Sequence, residues 1–228
     1  MNSARALFVV AVGVAFSGQP ASAQDLSRYR AYVLESSLDS VITASGARLA
    51  DAKSLHERPA KIQELEWRAP YVTSETVLAD PVREIAFTFY DDALYQVIVS
   101  YDRDRTEGLT NRDIVESLSA TYGAPVLALT RTKTSRPAEA LADAIVVARW
   151  ESASASLTLL RGVYSPDFQL ILVSKPLSMR ARTAIREAGR LDALEAPRRE
   201  LDQRQKEATD ATAARDKTRT TNKAAFRP

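Results

Sequence analysis

The chain has 228 residues, 45% of them apolar and 26% charged, which is enough for one substantial core or two small ones and excludes disorder throughout. It has no cysteine and a single histidine, so disulfides, thiolate catalysis and an ordinary zinc site are excluded together. The net charge of +2 conceals a partition: residues 24–177 hold 17 Lys/Arg against 21 Asp/Glu, a net of −4, whereas residues 178–228 hold 13 against 8, a net of +5.

The first 23 residues read as a secretory signal. Arg5 precedes an apolar run from Ala6 to Phe16, then Ser17-Gly18-Gln19-Pro20 and the small-residue site Ala21-Ser22-Ala23. The run is too short to span a bilayer. With no cysteine for lipid attachment, the expected product is a periplasmic or secreted protein without a transmembrane segment, cleaved near Ala23.

From residue 24 the pattern predicts a first unit to residue 108. Tyr29 to Leu34 alternates as a strand. Ser36 is placed to cap a helix with Asp39 as the acidic half of a capping box, and Leu38, Val41 and Ile42 give its apolar stripe up to Gly46. A polar connection leads to a strand over Ile62 to Val72, interrupted at Pro70. A hairpin follows over Arg83 to Tyr101. In it Ile85, Phe87 and Phe89 share one face, and Tyr95, Val97, Val99 and Tyr101 share another. Asp91-Asp92-Ala93 lacks the Asn-Gly of a tight turn, which predicts a loop of three to five residues with an Asp at positive φ.

The second unit, 109–177, repeats the order. Thr110 and Asp113 form a capping box, Ile114, Val115, Leu118 and Tyr122 form the stripe, and Gly123-Ala124-Pro125 ends the helix. A polar loop, Arg131 to Glu139, leads to strands over Ala144 to Trp150, Ser154 to Val163 and Phe168 to Val173. The caps are 74 residues apart, the glycines 77 and the tryptophans 83. The expected fold is therefore α+β: two tandem helix-plus-three-strand antiparallel units packed together, followed by a long C-terminal helix and a charged, partly disordered tail. That helix is expected from Leu177 onward, filling the segment 178–228, and carries the stripe Leu177, Ala181, Ala184, Ile185, Ala188, Leu191 and Leu194. Pro197 is expected to end or kink it, and Thr218 to Pro228 to fray.

The helix-glycine-hairpin order, carried by Leu38-x-x-Val41 with Gly46 and by Val115-x-x-Leu118 with Gly123-Ala124-Pro125, resembles the exported helix-plus-meander modules of two families. These are the BamE-like outer-membrane assembly lipoproteins and the β-lactamase-inhibitor-protein family, the latter a tandem pair of such units. The resemblance covers Tyr29 to Lys175 and departs from the lipoproteins in lacking their cysteine. It implies a non-enzymatic binding scaffold.

Candidate chemistry is sparse. His56 lies in a polar run with no G-x-S-x-G around any serine. Asp102, Asp104 and Thr106 start like a calcium loop, but Glu107 occupies the glycine position, Asp113 replaces the bidentate glutamate, and Arg103 and Arg105 repel the ion. No phosphate-cradling glycine loop and no basic-aromatic nucleic-acid surface is present. No metal or cofactor is expected. The leading reading is an accessory protein of the bacterial envelope that binds a protein partner through its sheet or hairpin loops. Tyr90, Tyr95 and Tyr101 are candidate contacts, with Arg198 and Arg199 in the basic tail as a second contact, to an anionic surface. The alternative is a hydrolase of an envelope polymer that works through carboxylates such as Glu66, Asp91, Asp92 or Asp102.

Overall fold

The structure is a computed structural model that describes residues 25–69, 80–126, 130–132, 143–225 and 227. The expected signal segment, the interruption at Pro70 and the loop at 133–139 lie outside the described residues. The protein is α+β. A two-residue hairpin, β1 (Arg28–Tyr29) and β2 (Tyr32–Val33), precedes helix α1 (Leu38–Ser45), a 3-10 turn (Leu49–Asp51) and strands β3 (Ala52–His56), β4 (Ile62–Arg68), β5 (Val82–Tyr90) and β6 (Ala93–Tyr101). Helix α2 (Asn111–Tyr122) follows, then β7 (Thr130–Thr132), β8 (Ala144–Glu151), β9 (Ala155–Gly162), β10 (Phe168–Ser174) and helix α3 (Lys175–Ala225). The main sheet has eight strands in the order β3-β4-β5-β6-β10-β9-β8-β7, with every pairing antiparallel.

Alternation fixes which side of this sheet is the core. Ile85, Phe87 and Phe89 of β5 join Val97 and Val99 of β6, Leu170 and Leu172 of β10 and Leu157 and Leu159 of β9 in one cluster. The hairpin β1–β2, α1 and α2 cover that inner face, contributing Tyr29, Tyr32, Leu38, Val41 and Tyr122. Phe87 is fully buried and meets Tyr32 edge-on with ring centroids 4.6 Å apart. Burying each such side chain contributes roughly 1.5–3 kcal/mol. Trp150 is also buried, and its Nε1–H donates to the Gly123 carbonyl at 2.6 Å, tying β8 to the end of α2. Gly123 itself sits at φ 79 and ψ −162, a region open essentially to glycine alone.

The Thr110–Asp113 capping box of α2 forms as expected, with reciprocal bonds to the two backbone N–H groups. At α1 the cap is Ser37 instead of Ser36: its hydroxyl accepts from the Ser40 N–H, and Asp39 only lends its charge to the first turn. Gly46 ends α1 in the left-handed conformation at φ 71.

Four expectations about the strands and their turns are corrected. Each meander has four strands, because β3 and β7 run through segments too polar and too short to read as strands. The segment Tyr29 to Leu34 is a tight hairpin, turning at Arg30 with φ 53. The β5–β6 loop is two residues long, Asp91 and Asp92, with φ 45 and 69, the geometry of a type I′ turn. A bulge on β6 inserts Tyr95 as an extra residue between the pairs Phe89–Leu94 and Thr88–Gln96. Leu94 therefore takes the inner face and Tyr95 the outer one, so Tyr95 does not share a face with Val97 and Tyr101.

Helix α3 lies on the outer face over β5, β6 and β10. It begins two residues before Leu177 and docks through Ser178, Ala181, Ala184 and Ala188, while Ile185 and Leu194, expected in the buried stripe, are exposed. Pro197 lies inside it without ending it, and Thr218 to Ala225 is helical where fraying was expected. From Ala196 to Ala225 every residue is exposed.

Truncation Phe87→Ala is expected to cost about 3–5 kcal/mol in urea unfolding, the range for a core phenylalanine. Deleting residues 200–228 is expected to leave the thermal midpoint unchanged while removing much of the helical circular-dichroism signal. A drop in midpoint would place the arm on the body.

Candidate functional site

The turn at the tip of the β5–β6 hairpin organises one end of the molecule. Asp91 Oδ1 accepts from the Lys61 N–H at 2.8 Å, and its own N–H donates to the Lys61 carbonyl at 2.9 Å. Asp92 Oδ1 accepts from the Leu38 N–H at 3.1 Å, at the start of α1. These bonds hold the segment before β4 beside the hairpin tip, and with it Pro59 and Ala60. Opposite them runs the first part of α3. Between the two lies a groove of about 450 Å³, floored by Tyr90, Pro59, Ala60 and Ala184 and edged by Met179 and Arg180.

The floor is supported from below by Ile62, Tyr95 and Ala181, all buried, with Tyr90 and Leu177 packed against them. The rim is charged. Arg190 holds Glu187 with two bonds of 2.6 and 2.9 Å and lowers its pKa through them. Beyond it Arg58 pairs with Glu195, and Arg199 reaches Asp192 at 2.8 Å and Glu195 at 3.1 Å. Arg180 forms no ion pair among the described residues, and 68% of Met179 is exposed. The groove is thus an open apolar seat with Arg180, unpaired among the described residues, on its edge, shaped to take one or two apolar side chains.

The five candidate contacts divide between two faces. Tyr90 lines the groove and Tyr95 lies beneath it, buried to 6% exposure. Arg199 belongs to the ion-pair cluster at its far end, and Arg198 is exposed on the arm. Tyr101 is on the opposite face, packed against the inner core. There it shares a hydrogen bond with Tyr29, next to Tyr122, whose hydroxyl donates to the Arg28 carbonyl at 3.3 Å. Arg30 closes the cluster. It lies 5.3 Å from the Tyr29 ring centroid and grips Asp80 with bonds of 2.7 and 2.8 Å, which hold the Asp80 carboxyl below its ordinary range. Burial raises the pKa of Tyr101 and Tyr29 and pushes Tyr122 up to about 12.

The acids named for a hydrolase have structural partners. Glu66 meets Lys53 at 3.2 Å and Arg68 at 3.3 Å. Asp102 Oδ1 accepts from the Asp104 and Arg105 N–H groups, and Asp91 and Asp92 serve the turn. His56 sits at the end of the edge strand β3, where the register with β4 slips. Met179, Arg180 and Pro59 carry no motif and were not singled out from sequence. What marks them is the juncture of three distant segments.

A phenol whose folded pKa is raised stabilises the fold below its unfolded pKa of about 10 and loses that contribution as pH rises toward the folded value. The thermal midpoint is therefore expected to fall between about pH 10 and 12, and to fall less in Tyr101→Phe than in the parent, measured as the difference between midpoints at the two ends of that window.

No family model, no characterised protein and no solved structure matches this chain.

Proposed function

We propose that the chain is a non-enzymatic, exported accessory protein of the bacterial envelope, periplasmic or secreted, that seats an apolar anchor of a protein partner in the groove between α3 and the β5–β6 hairpin. The observation that carries this reading is the groove itself: an apolar floor left open, beside an exposed methionine and an arginine unpaired among the described residues. A partner side chain entering there loses its water and gains roughly 1.5–3 kcal/mol. Arg180 favours an anchor flanked by acidic residues.

The reading is supported by the A-x-A leader and by the resemblance to the two helix-plus-meander families, which act by binding. It also includes tandem duplication. The order helix, meander of four, helix, meander of four, with the last strands of the two meanders paired at the centre, is what two fused copies of one module would build.

The test is site-specific photocrosslinking in the native envelope. A photoreactive residue at Thr183, in the groove, is expected to yield one discrete protein adduct that Arg180→Glu diminishes. The same residue at Glu116, on α2 and the other side of the sheet, is expected to yield none. Equal labelling from both positions, or labelling from neither, would defeat the proposal.

A further inference from the structure

The distal part of α3 carries a second surface, distinct from the groove. Residues 215–227 hold five basic residues, Arg215, Lys217, Arg219, Lys223 and Arg227, against one acid, Asp216. Arg215, Arg219 and Lys223 follow one another at intervals of four, so they rise along one side of the helix in steps of about 6 Å. None of them forms an ion pair among the described residues, where the outermost pair is Arg204 with Glu200. We infer that this ridge is a docking surface for an anionic lipid bilayer, held by charge alone.

Three observations favour a flat, anionic partner. At about 100° per residue, Arg215 and Arg219 lie roughly 180° and 140° round the helix from Ala188, the last residue that α3 buries against the sheet, so these two face away from the body and Lys223 lies to the side. A surface can lie against it without meeting the domain first. The arm from Arg199 to Ala225 is about 40 Å long. That exceeds the screening length of about 8 Å several times, so the body's net charge of −4 does not weaken attraction at the tip. Finally, Leu201 is the last large aliphatic residue of the helix. Beyond it the helix has no apolar face of its own to insert between lipids, Phe226 just past its end being the one large apolar residue, so the ridge binds at the headgroups, reversibly and with strong salt dependence.

Sedimentation of the full chain with vesicles tests this. Strong partitioning is expected on phosphatidylcholine vesicles containing phosphatidylglycerol in low salt, with little on phosphatidylcholine alone and release in high salt. The triple variant Arg215→Gln, Arg219→Gln, Lys223→Gln is expected to lower partitioning about 100-fold, given the usual contribution per basic residue near an anionic surface. The corresponding Arg→Lys changes at 215 and 219 are expected to retain it, and circular dichroism to show an intact helix in both. Failure to bind the anionic vesicles, undiminished binding by the Gln variant, or capture by soluble polygalacturonate but not by vesicles overturns the inference. Such a failure leaves the groove reading untouched, because the two surfaces share no residue.

Discussion

The antiparallel pairing of β6 with β10 is the contact on which the rest of the molecule depends. It sets Val99 beside Leu170 and Val97 beside Leu172, so the inner faces of the two meanders merge into one apolar surface. Neither meander has to bury its face alone, and α1 and α2 can both pack on the same side. The pairing also decides where α3 goes. That helix starts at Lys175, directly after the last residue of β10, and the Lys175 N–H is fixed to the Ser154 carbonyl at 2.8 Å. With no loop between strand and helix, the direction of α3 across the outer face is a consequence of where β10 sits. The groove and the projecting arm inherit their positions from that one seam.

The groove exists because α3 docks through small residues. Ala181, Ala184 and Ala188 let the helix axis approach the sheet closely but fill little space sideways. At the hairpin tip Ala184 lines the groove with Ala60 and Pro59 instead of a large partner, and the space stays open. The alanine stripe thus trades packing energy for an apolar opening beside Tyr90.

How much of this the amino-acid sequence reveals follows from how local each cause is. The inner faces of β5, β9 and β10 are legible because alternation is a local signal, and so are Gly46 and the Thr110–Asp113 box. The bulge at Tyr95 is not. Leu94, Tyr95, Gln96 and Val97 alternate plausibly in either frame, and only pairing with β5 decides which residue is extra. The two-residue Asp-Asp turn is hidden for a similar reason. Positive φ at two aspartates is unfavourable by itself and is offset by N–H groups of Lys61 and Leu38, which come from 30 and 54 residues away. Strand β3 escapes notice because an edge strand with exposed Lys53, Ser54 and Leu55 has no buried face to announce it. The groove has no sequence signal at all, since its walls come from around residues 59, 90 and 183.

The arm shows why composition alone misjudges the end of the chain. A segment that buries nothing is expected to fray, yet α3 continues through Pro197 to Ala225. At Pro197 the ring removes the bond to the Ala193 carbonyl, and in an exposed helix water can take that acceptor, which limits the damage to one turn. Beyond it the helix surface carries contacts of its own, some supporting it and some not. Arg204 meets Glu200, Gln203 donates to Glu207 at 3.1 Å, and the hydroxyls of Thr209, Thr212 and Thr218 return to carbonyls four residues back. Each such contact contributes at most a few tenths of a kcal/mol, and the threonine bonds slightly oppose the helix. The rest of the support is the anchored first half, which removes the nucleation cost that an isolated helix of this composition must meet. Docking of Ala181, Ala184 and Ala188 on the sheet therefore does two jobs at once: it shapes the groove, and it seeds the helix that carries Arg215, Arg219 and Lys223 away from an acidic body.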